Sequence, residues 1–164
     1  MELSYYCGTL SGMVKDGAKQ KVFILNGPNL GRLGVREPEI YGADSYDDLV
    51  AVAGRWGQEL GFNIIVRQTD NEAELVHWLH EAADTGAHVV LNPAAFTHYS
   101  YAIRDAAAMI PKAGLKLVEV HLSNPHTRES FRHYSTVSGV ATGTIAGFGF
   151  NSYYLALLSI INAK

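Results

Sequence analysis

The chain has 164 residues, of which 48% are hydrophobic and 18% charged, as is typical of one globular domain with a packed core. Its net charge of −3 gives no support for a nucleic-acid or anionic-membrane partner, since both favour a basic face. No apolar run reaches the roughly 20 residues of a membrane span. The one cysteine, Cys7, excludes an intrachain disulfide and fits a cytoplasmic location.

Residues 1–20 do not resemble a signal peptide, because they begin with the acidic Glu2 and lack a long apolar stretch. We interpret them as a flexible N-terminal lead-in without a functional role. Residues 21–164 are predicted to form a single α/β domain.

The first predicted strand is residues 21–26, a short apolar run with the sequence KVFILN. A loop rich in Gly, Pro, Asn and Arg follows it. Ser45 and Asp48 then resemble a capping box at the start of a helix whose apolar residues recur at helical spacing. We expect Gly61 to end this helix.

Strand-like and helix-like segments continue to alternate to the end of the chain. Further strands are predicted at residues 63–69, 87–92, 116–121 and 142–146. Asn71 and Glu74 form a second possible capping box, before the second helix. A third helix is predicted at residues 100–109 and is expected to end because of Pro111, and a last helix is predicted at residues 151–162.

This alternation predicts parallel strands joined by right-handed crossovers, and strands that are apolar on both faces need helices on both sides. We therefore expect an α/β, flavodoxin-like three-layer sandwich with a five-stranded parallel sheet in the order 2-1-3-4-5. In such sheets the site lies beyond the carboxyl ends of the strands, near the switch in strand order. Strands 1, 3 and 4 end there with Asn26, Asn92 and His121.

Three segments at this edge carry motifs in one order along the chain. They are residues 25–42 (LNGPNLGRLGVREPEIYG), 91–106 (LNPAAFTHYSYAIRDA) and 119–135 (EVHLSNPHTRESFRHYS). Each resembles a site segment of the type II 3-dehydroquinate dehydratases, and the likeness extends over residues 21–161. The resemblance implies a catalytic domain that converts 3-dehydroquinate to 3-dehydroshikimate through an enolate, without metal or organic cofactor. Both the shikimate pathway of aromatic amino acid biosynthesis and quinate catabolism use this step.

The resemblance also implies which residues carry the acid and base chemistry. Tyr41 matches the family's base and Arg36 its essential arginine, both in a loop expected to act as a lid. A tyrosine, with a pKa of roughly 10, is a poor base at neutral pH unless a nearby cation lowers that pKa. His121 matches the general acid. Glu119 lies two residues earlier on the same strand face and could orient and charge the imidazole.

Further matches concern substrate binding and assembly. Asn29 matches an asparagine that positions a water near the developing enolate, and Leu122 and Ser123 match a carboxylate-binding turn. Residues that match binding or supporting positions are Asn92, His98, Asp105 and Arg132. In the family the aspartate that matches Asp105 reaches a neighbouring subunit's site, so the resemblance implies trimers that assemble into a dodecamer.

Some polar residues and departures from the family pattern stay without a role. Arg32, Arg67, Arg104 and Arg128 are interpreted as solvated or subunit-contact residues, and His126 and His133 are left unassigned. His77 and His80 are more typical of a helix surface than of a metal pair. Ala94 and Ala95 stand where relatives often have glycine, Pro125 stands where an aliphatic residue is commoner, and the turn GFGFNSYYLAL lacks the glycine that usually precedes the tyrosine.

Three other interpretations require features that can be checked in the sequence. A Schiff-base dehydroquinase needs a lysine at the site, but no lysine lies in a site motif. A flavodoxin-like cofactor-binding module is disfavoured because a GxxxxGK[ST] phosphate loop is missing after the first strand. A catalytically inactive scaffold or regulator stays open, opposed by the complete set of Tyr41, Arg36 and His121.

Overall fold

The computed structural model describes residues 19–35 and 43–162. Within these ranges, five strands form one sheet in the order β2-β1-β3-β4-β5, and every neighbouring pair is parallel. The strands are β1 Gln20–Asn26, β2 Phe62–Gln68, β3 His88–Asn92, β4 Leu117–His121 and β5 Gly143–Ala146. The predicted fold class and strand order are therefore confirmed.

Helices connect these strands and cover both faces of the sheet. They are α1 Tyr46–Leu60, α2 Glu72–Asp84, α3 Tyr101–Ala107, α4 Met109–Lys112 and α5 Asn151–Asn162. Short 3₁₀ helices lie at Leu30–Arg32, Ala94–His98, Pro125–Thr127 and Ser130–His133. None of the helices in the described ranges combines the length and apolar character that a membrane span requires.

The starts of α1 and α2 show two ways of satisfying the free N–H groups of a first turn. At α1, Ser45 and Asp48 form the predicted reciprocal capping box. At α2, the Asn71 side chain accepts from the first-turn backbone, but the Glu74 carboxylate accepts from the Thr69 hydroxyl. The second capping box was therefore predicted wrongly, because Thr69 also accepts the Asn71 N–H that Glu74 would have taken.

The prediction that Pro111 ends the third helix was also wrong. α3 ends at Ala107, and a new short helix, α4, begins at Met109 and contains Pro111. Proline is tolerated there because the N–H groups in the first turn of a helix have no partner within that helix.

Two apolar cores hold the helices to the two faces of the sheet. α1 and α5 contribute Leu49, Ala53, Tyr153, Ala156, Leu157 and Ile160 to one core. α2, α3 and α4 contribute Leu75, Leu79, Ala82, Ile103, Ala106, Ala107 and Ile110 to the other. Alternate residues of β1 enter opposite cores, since Val22 and Ile24 face the first and Phe23 and Leu25 the second.

The register of the sheet aligns the carboxyl ends of β1 and β3. Asn26 is the register partner of Asn92, and Leu91 is the partner of Glu119 on β4. The chain then passes close to Pro93 at Gly27, where a Cβ would overlap the Pro93 carbonyl oxygen. This close approach explains the need for glycine directly after β1.

Candidate active site

A cavity of about 120 Å³ opens beyond the carboxyl ends of β1, β3 and β4. Its lining includes most of the residues that were predicted from the sequence: Asn29, Asn92, His98, His121, Leu122, Ser123 and Arg132. The cavity therefore lies at the edge of the sheet where the predicted strand order places a site. Arg36 and Tyr41, the two residues predicted for the lid, lie outside the described residues.

His121 and Glu119 form a pair at the end of β4. Nε2 of His121 lies 2.8 Å from Oε1 of Glu119, whose side chain is 0% exposed. Since β-strand side chains alternate, a spacing of two residues places both groups on one face. A carboxylate can only accept, so Nε2 of His121 carries a proton, and Nδ1 is the ring nitrogen left for a ligand.

Two hydroxyl groups complete the surroundings of the Glu119 carboxylate. The Thr97 hydroxyl donates to Oε1 at 2.6 Å, and the Ser135 hydroxyl lies 3.0 Å from each carboxylate oxygen. Burial by itself raises the pKa of Glu119, but the hydrogen bonds from His121, Thr97 and Ser135 together outweigh it and lower the pKa. Glu119 is therefore a buried carboxylate that stays ionised beneath the imidazole.

A second buried network fixes the amide of Asn92. Its Nδ2 donates to the hydroxyl of Tyr153 at 2.8 Å, and that hydroxyl donates to Oδ1 of Asn26 at 2.7 Å. Oδ1 of Asn92 accepts the backbone N–H of Ala94 at 3.2 Å. A tyrosine hydroxyl has only one proton to donate. Because that proton goes to the oxygen of Asn26, the Asn92 group that faces the hydroxyl is its NH₂ group.

The backbone around the cavity adopts left-handed geometry at two residues that are not glycine. Asn29 has a φ of 68° and Ala94 a φ of 49°. The N–H of Asn29 donates to Oδ1 of Asp70 at 2.7 Å, which holds this conformation from the loop after β2. Glycine adopts such a conformation without steric cost, whereas alanine does not.

His98 and Arg132 face the cavity from its rim. Nδ1 of His98 lies 2.8 Å from the backbone carbonyl of Tyr134, so this nitrogen carries the ring proton and Nε2 is free for a ligand. Nε of Arg132 donates to Oε2 of Glu129 at 2.7 Å. The guanidinium of Arg132 also lies 4.7 Å from the ring centre of Phe131, which restricts its orientation.

Comparisons with known proteins agree with this arrangement. A family model described as dehydroquinase class II matches residues 20–161. The chain belongs to the class II dehydroquinase family.

Curated relatives and solved structures extend the match. The chain is 61% identical over 137 residues to the 3-dehydroquinate dehydratase of Salinispora tropica, covering 84% of this chain and 94% of the relative. It is 51% identical to the Mycobacterium tuberculosis enzyme of that name over 136 residues, 83% of this chain and 90% of the relative. The type II dehydroquinase structure from Propionibacterium acnes superposes with a TM-score of 0.81 at 51% identity, covering 85% of this chain and 94% of that one.

One predicted site residue of this class II dehydroquinase lies away from the cavity of its own chain. The carboxylate of Asp105 is 76% exposed and accepts from Nη1 of its neighbour Arg104 at 2.9 Å. It does not line the cavity. A role in binding would therefore require the cavity of another subunit, as the resemblance implies.

Several residues of the dehydroquinase site were missed from the sequence. Thr97, Ser135 and Tyr153 act from behind the cavity wall, while Arg32 and Arg128 line it directly. Arg128 lies near Glu129, with 3.6 Å between Nε and Oε2. The two arginines belong to the site motifs, and that position was the available signal for them.

The remaining candidates contribute to the surface or the scaffold. Arg67 pairs with Glu81, at 3.0 Å between Nη2 and Oε1. His126 and His133 have rings 5.3 Å apart and do not line the cavity. Among the residues that the structure describes, no group of three or more His, Cys, Asp or Glu side chains is placed to hold a metal ion.

Proposed function

We propose that this class II dehydroquinase is a hydro-lyase that dehydrates 3-dehydroquinate to 3-dehydroshikimate through an enolate. The observation that carries the proposal is the His121–Glu119 pair at the cavity, in which an ionised buried carboxylate holds an imidazole. A dehydration of this kind needs such a group to protonate the departing hydroxyl. The relatives named 3-dehydroquinate dehydratase supply the substrate class.

The first step is removal of a proton from the carbon beside the substrate ketone. We propose that Tyr41 in its phenolate form is the base. The Arg36 guanidinium would lower the pKa of Tyr41. A cation within a few ångströms favours the charged form of an acid such as tyrosine. The electron pair of the broken C–H bond moves into the ring and places negative charge on the ketone oxygen, which gives the enolate.

The second step expels the hydroxyl group from the next carbon. The enolate electrons re-form the ketone and create the ring double bond as the C–O bond breaks. In this proposal His121 acts as an imidazolium: it gives its Nδ1 proton to the leaving oxygen, which departs as water, and remains as a neutral imidazole protonated on Nε2. Glu119 keeps the imidazole oriented through Nε2, so the proton-donating nitrogen faces the substrate.

Binding of the substrate is assigned to the remaining lining residues. Its carboxylate would lie at the turn of Leu122 and Ser123, where backbone N–H groups can hold an anion. Asn92 and His98 offer a fixed amide and a free imidazole nitrogen to ring hydroxyls. Asn29 and Arg132 complete the set, with Asn29 positioning a water near the enolate oxygen.

We further propose a homo-oligomer, a dodecamer built from trimers, in which Asp105 of one subunit reaches the cavity of its neighbour. The exposed Asp105 carboxylate and the exposed rings of Tyr99 and Tyr101 on the same part of the surface support a subunit contact there. Sedimentation of the purified protein tests the assembly. Asp105→Ala is expected to raise KM without dissociating the oligomer.

The proposed cellular setting is the cytoplasm, with residues 1–20 as a lead-in to one catalytic domain of residues 21–164. A chain that begins at residue 21 is expected to keep the kcat of the full chain. Loss of turnover in a shorter chain that keeps the sedimentation of the full chain would overturn this division.

The experiment that tests the activity follows the ultraviolet absorbance of the conjugated product after purified protein is mixed with 3-dehydroquinate. We expect product with and without borohydride pretreatment, and equal turnover after treatment with a chelator. Inactivation by substrate plus borohydride would indicate a lysine Schiff base instead. No product from the assembled protein would favour an inactive scaffold.

The base is tested separately. Tyr41→Phe is expected to abolish nearly all turnover while leaving the sedimentation of the assembly unchanged, and Arg36→Ala should raise the kinetic pKa of the base. Near-normal turnover by Tyr41→Phe would remove Tyr41 from the mechanism, and an unchanged pH profile in Arg36→Ala would remove the pairing.

A further inference from the structure

The first turn of α5 contacts the ends of three strands that form the site. Ser152 and Tyr153 are both 0% exposed and are neighbours in the chain, yet their hydroxyl groups bond to different strands. Ser152 contacts β4 at the backbone of His121, while Tyr153 contacts Asn92 at the end of β3 and Asn26 at the end of β1.

Ser152 holds the backbone of the proposed acid. Its hydroxyl donates to the carbonyl oxygen of His121 at 3.0 Å and accepts the N–H of Phe148 at 3.2 Å. The same His121 carbonyl accepts the N–H of Gly147 at 3.2 Å. A shift of this carbonyl would move the Cα of His121 and with it the 2.8 Å contact with Glu119.

Tyr153 holds the side chain of a proposed binding residue. Because its hydroxyl proton goes to Asn26, its oxygen can only accept from Nδ2 of Asn92. Burial raises the pKa of the Tyr153 hydroxyl far above its usual value, although the hydrogen bond from Asn92 opposes this, so the group stays neutral. The network continues from Nδ2 of Asn26 to the carbonyl of Arg67 at 3.1 Å.

We propose that Ser152 and Tyr153 are positioning residues with separate tasks: Ser152 fixes the acid His121, and Tyr153 fixes the binding amide of Asn92. This inference rests on the proposed function. Neither side chain lines the cavity, so each acts through the residue that it holds. The separation of tasks predicts that the two hydroxyl groups affect different kinetic constants.

The test removes each hydroxyl and measures kcat and KM for 3-dehydroquinate. Ser152→Ala is expected to lower kcat about tenfold with KM within about threefold of wild type, which corresponds to roughly 1.4 kcal/mol of lost transition-state stabilisation. Tyr153→Phe is expected to raise KM about tenfold with kcat within about threefold, because the freed amide of Asn92 no longer holds its orientation.

Two matched controls lie on the same helix. Tyr154→Phe removes a hydroxyl that donates to Glu59 on α1, and Ser159→Ala removes one that donates to the carbonyl of Ala156. Both controls should leave kcat and KM unchanged. Ser152→Thr keeps a hydroxyl and should restore most of the kcat that Ser152→Ala loses, which a merely structural role would not predict.

The outcomes separate this inference from the proposed function. Absence of turnover by the wild-type chain would overturn both. If the wild type is active, two results would overturn only the positioning roles. In the first, Ser152→Ala and Tyr153→Phe match the controls. In the second, both variants change kcat and KM in the same proportion. Should Tyr153→Phe fail to fold, Asn26→Ser removes the acceptor of the Tyr153 proton instead, and an unchanged KM in that variant would contradict the Tyr153 task.

Discussion

Two carboxylates of this dehydroquinase each contact a basic side chain that lines the cavity. Glu119 lies on β4 and is 0% exposed, whereas the Glu129 side chain is 56% exposed. We call Glu119 with His121 the floor pair and Glu129 with Arg132 the rim pair. Glu119 contacts His121 and Glu129 contacts Arg132, at 2.8 Å and 2.7 Å. In both, hydrogen bonding brings the carboxyl pKa below its usual value.

The difference between them lies in what surrounds each pair. The floor pair is shielded from water, so the charge on Glu119 acts on His121 with little screening, and its loss cannot be replaced by solvent. The rim pair is screened by salt, and such exposed pairs contribute little to stability. We therefore expect the floor to control the chemical step and the rim to control how well the anionic substrate binds.

Removing the imidazole of His121 is the change to the floor pair with the largest expected effect. His121→Asn is expected to lower kcat by about 10²–10⁴-fold, the usual contribution of a general acid, because asparagine cannot protonate the departing hydroxyl. Steady-state kinetics with 3-dehydroquinate measure the effect. His77→Asn, on the exposed surface of α2, is the matched control and should match wild type. Equal kcat for the two variants would remove His121 as the acid.

The corresponding change to the rim pair removes the guanidinium of Arg132. Arg132→Met is expected to raise KM about 10–100-fold with a smaller change in kcat, since a hydrogen bond to a charged group contributes roughly 1.5–3 kcal/mol. The dependence of KM on ionic strength should also weaken. Arg55→Met removes an equal charge from the exposed face of α1 and should do neither. A kcat effect in Arg132→Met larger than its KM effect would contradict the division between floor and rim.

A smaller change keeps the Glu119–His121 pair but removes the Thr97 hydroxyl, which donates a hydrogen bond to Glu119. Because the pKa of Glu119 is lowered on folding, its stabilisation is complete above about pH 4.3 and is lost as pH falls through the lower folded value. Thr97→Val should raise that folded pKa, so the acid-dependent loss of stability should be smaller and should end at a higher pH. Thermal unfolding between pH 3 and 6 measures this.

Thr97→Ser is the matched control for that change, since it keeps the hydroxyl that donates to Glu119. It should follow the wild-type pH dependence. If Thr97→Val and Thr97→Ser lose the same amount of stability as the pH falls, the hydroxyl does not hold the carboxylate in its ionised form.

The smallest expected effect concerns the turn after β3, between floor and rim. Ala94 has a φ of 49°, a conformation that costs alanine about 1–2 kcal/mol. Ala94→Gly relieves that cost but gives the unfolded chain about 0.4–1 kcal/mol of entropy, so a net stabilisation of about 0.5–1 kcal/mol is expected. Ala95→Gly, without a positive φ, should destabilise instead. A lower melting temperature for Ala94→Gly would contradict the strain.

The floor was also easier to predict from the sequence than the rim. Glu119 and His121 share one strand face because strand side chains alternate, and this period can be read without a structure. The strand order and the edge that holds the site follow from alternating strands and helices. The separation of α3 and α4 at Ala108 was not predictable, because Pro111 is compatible both with a helix end and with a helix start.

Contacts between distant parts of the chain account for what was missed. Thr97 and Ser135 meet Glu119 from different loops, and Tyr153 reaches Asn26 across 127 positions of the chain. No local pattern marks such contacts, because each depends on how helices pack against the sheet. Arg128 was missed for a different reason, since a motif arginine can equally serve a subunit contact.

The most direct test of the account is the pH dependence of kcat in Glu119→Gln beside wild type. The change keeps the size of the side chain but removes the buried charge that holds His121. We predict that kcat falls at every pH, that the acidic limb due to Glu119 protonation disappears, and that KM stays within about threefold of wild type. A variant with the kcat and pH profile of wild type would show that the buried carboxylate is not needed for the chemical step.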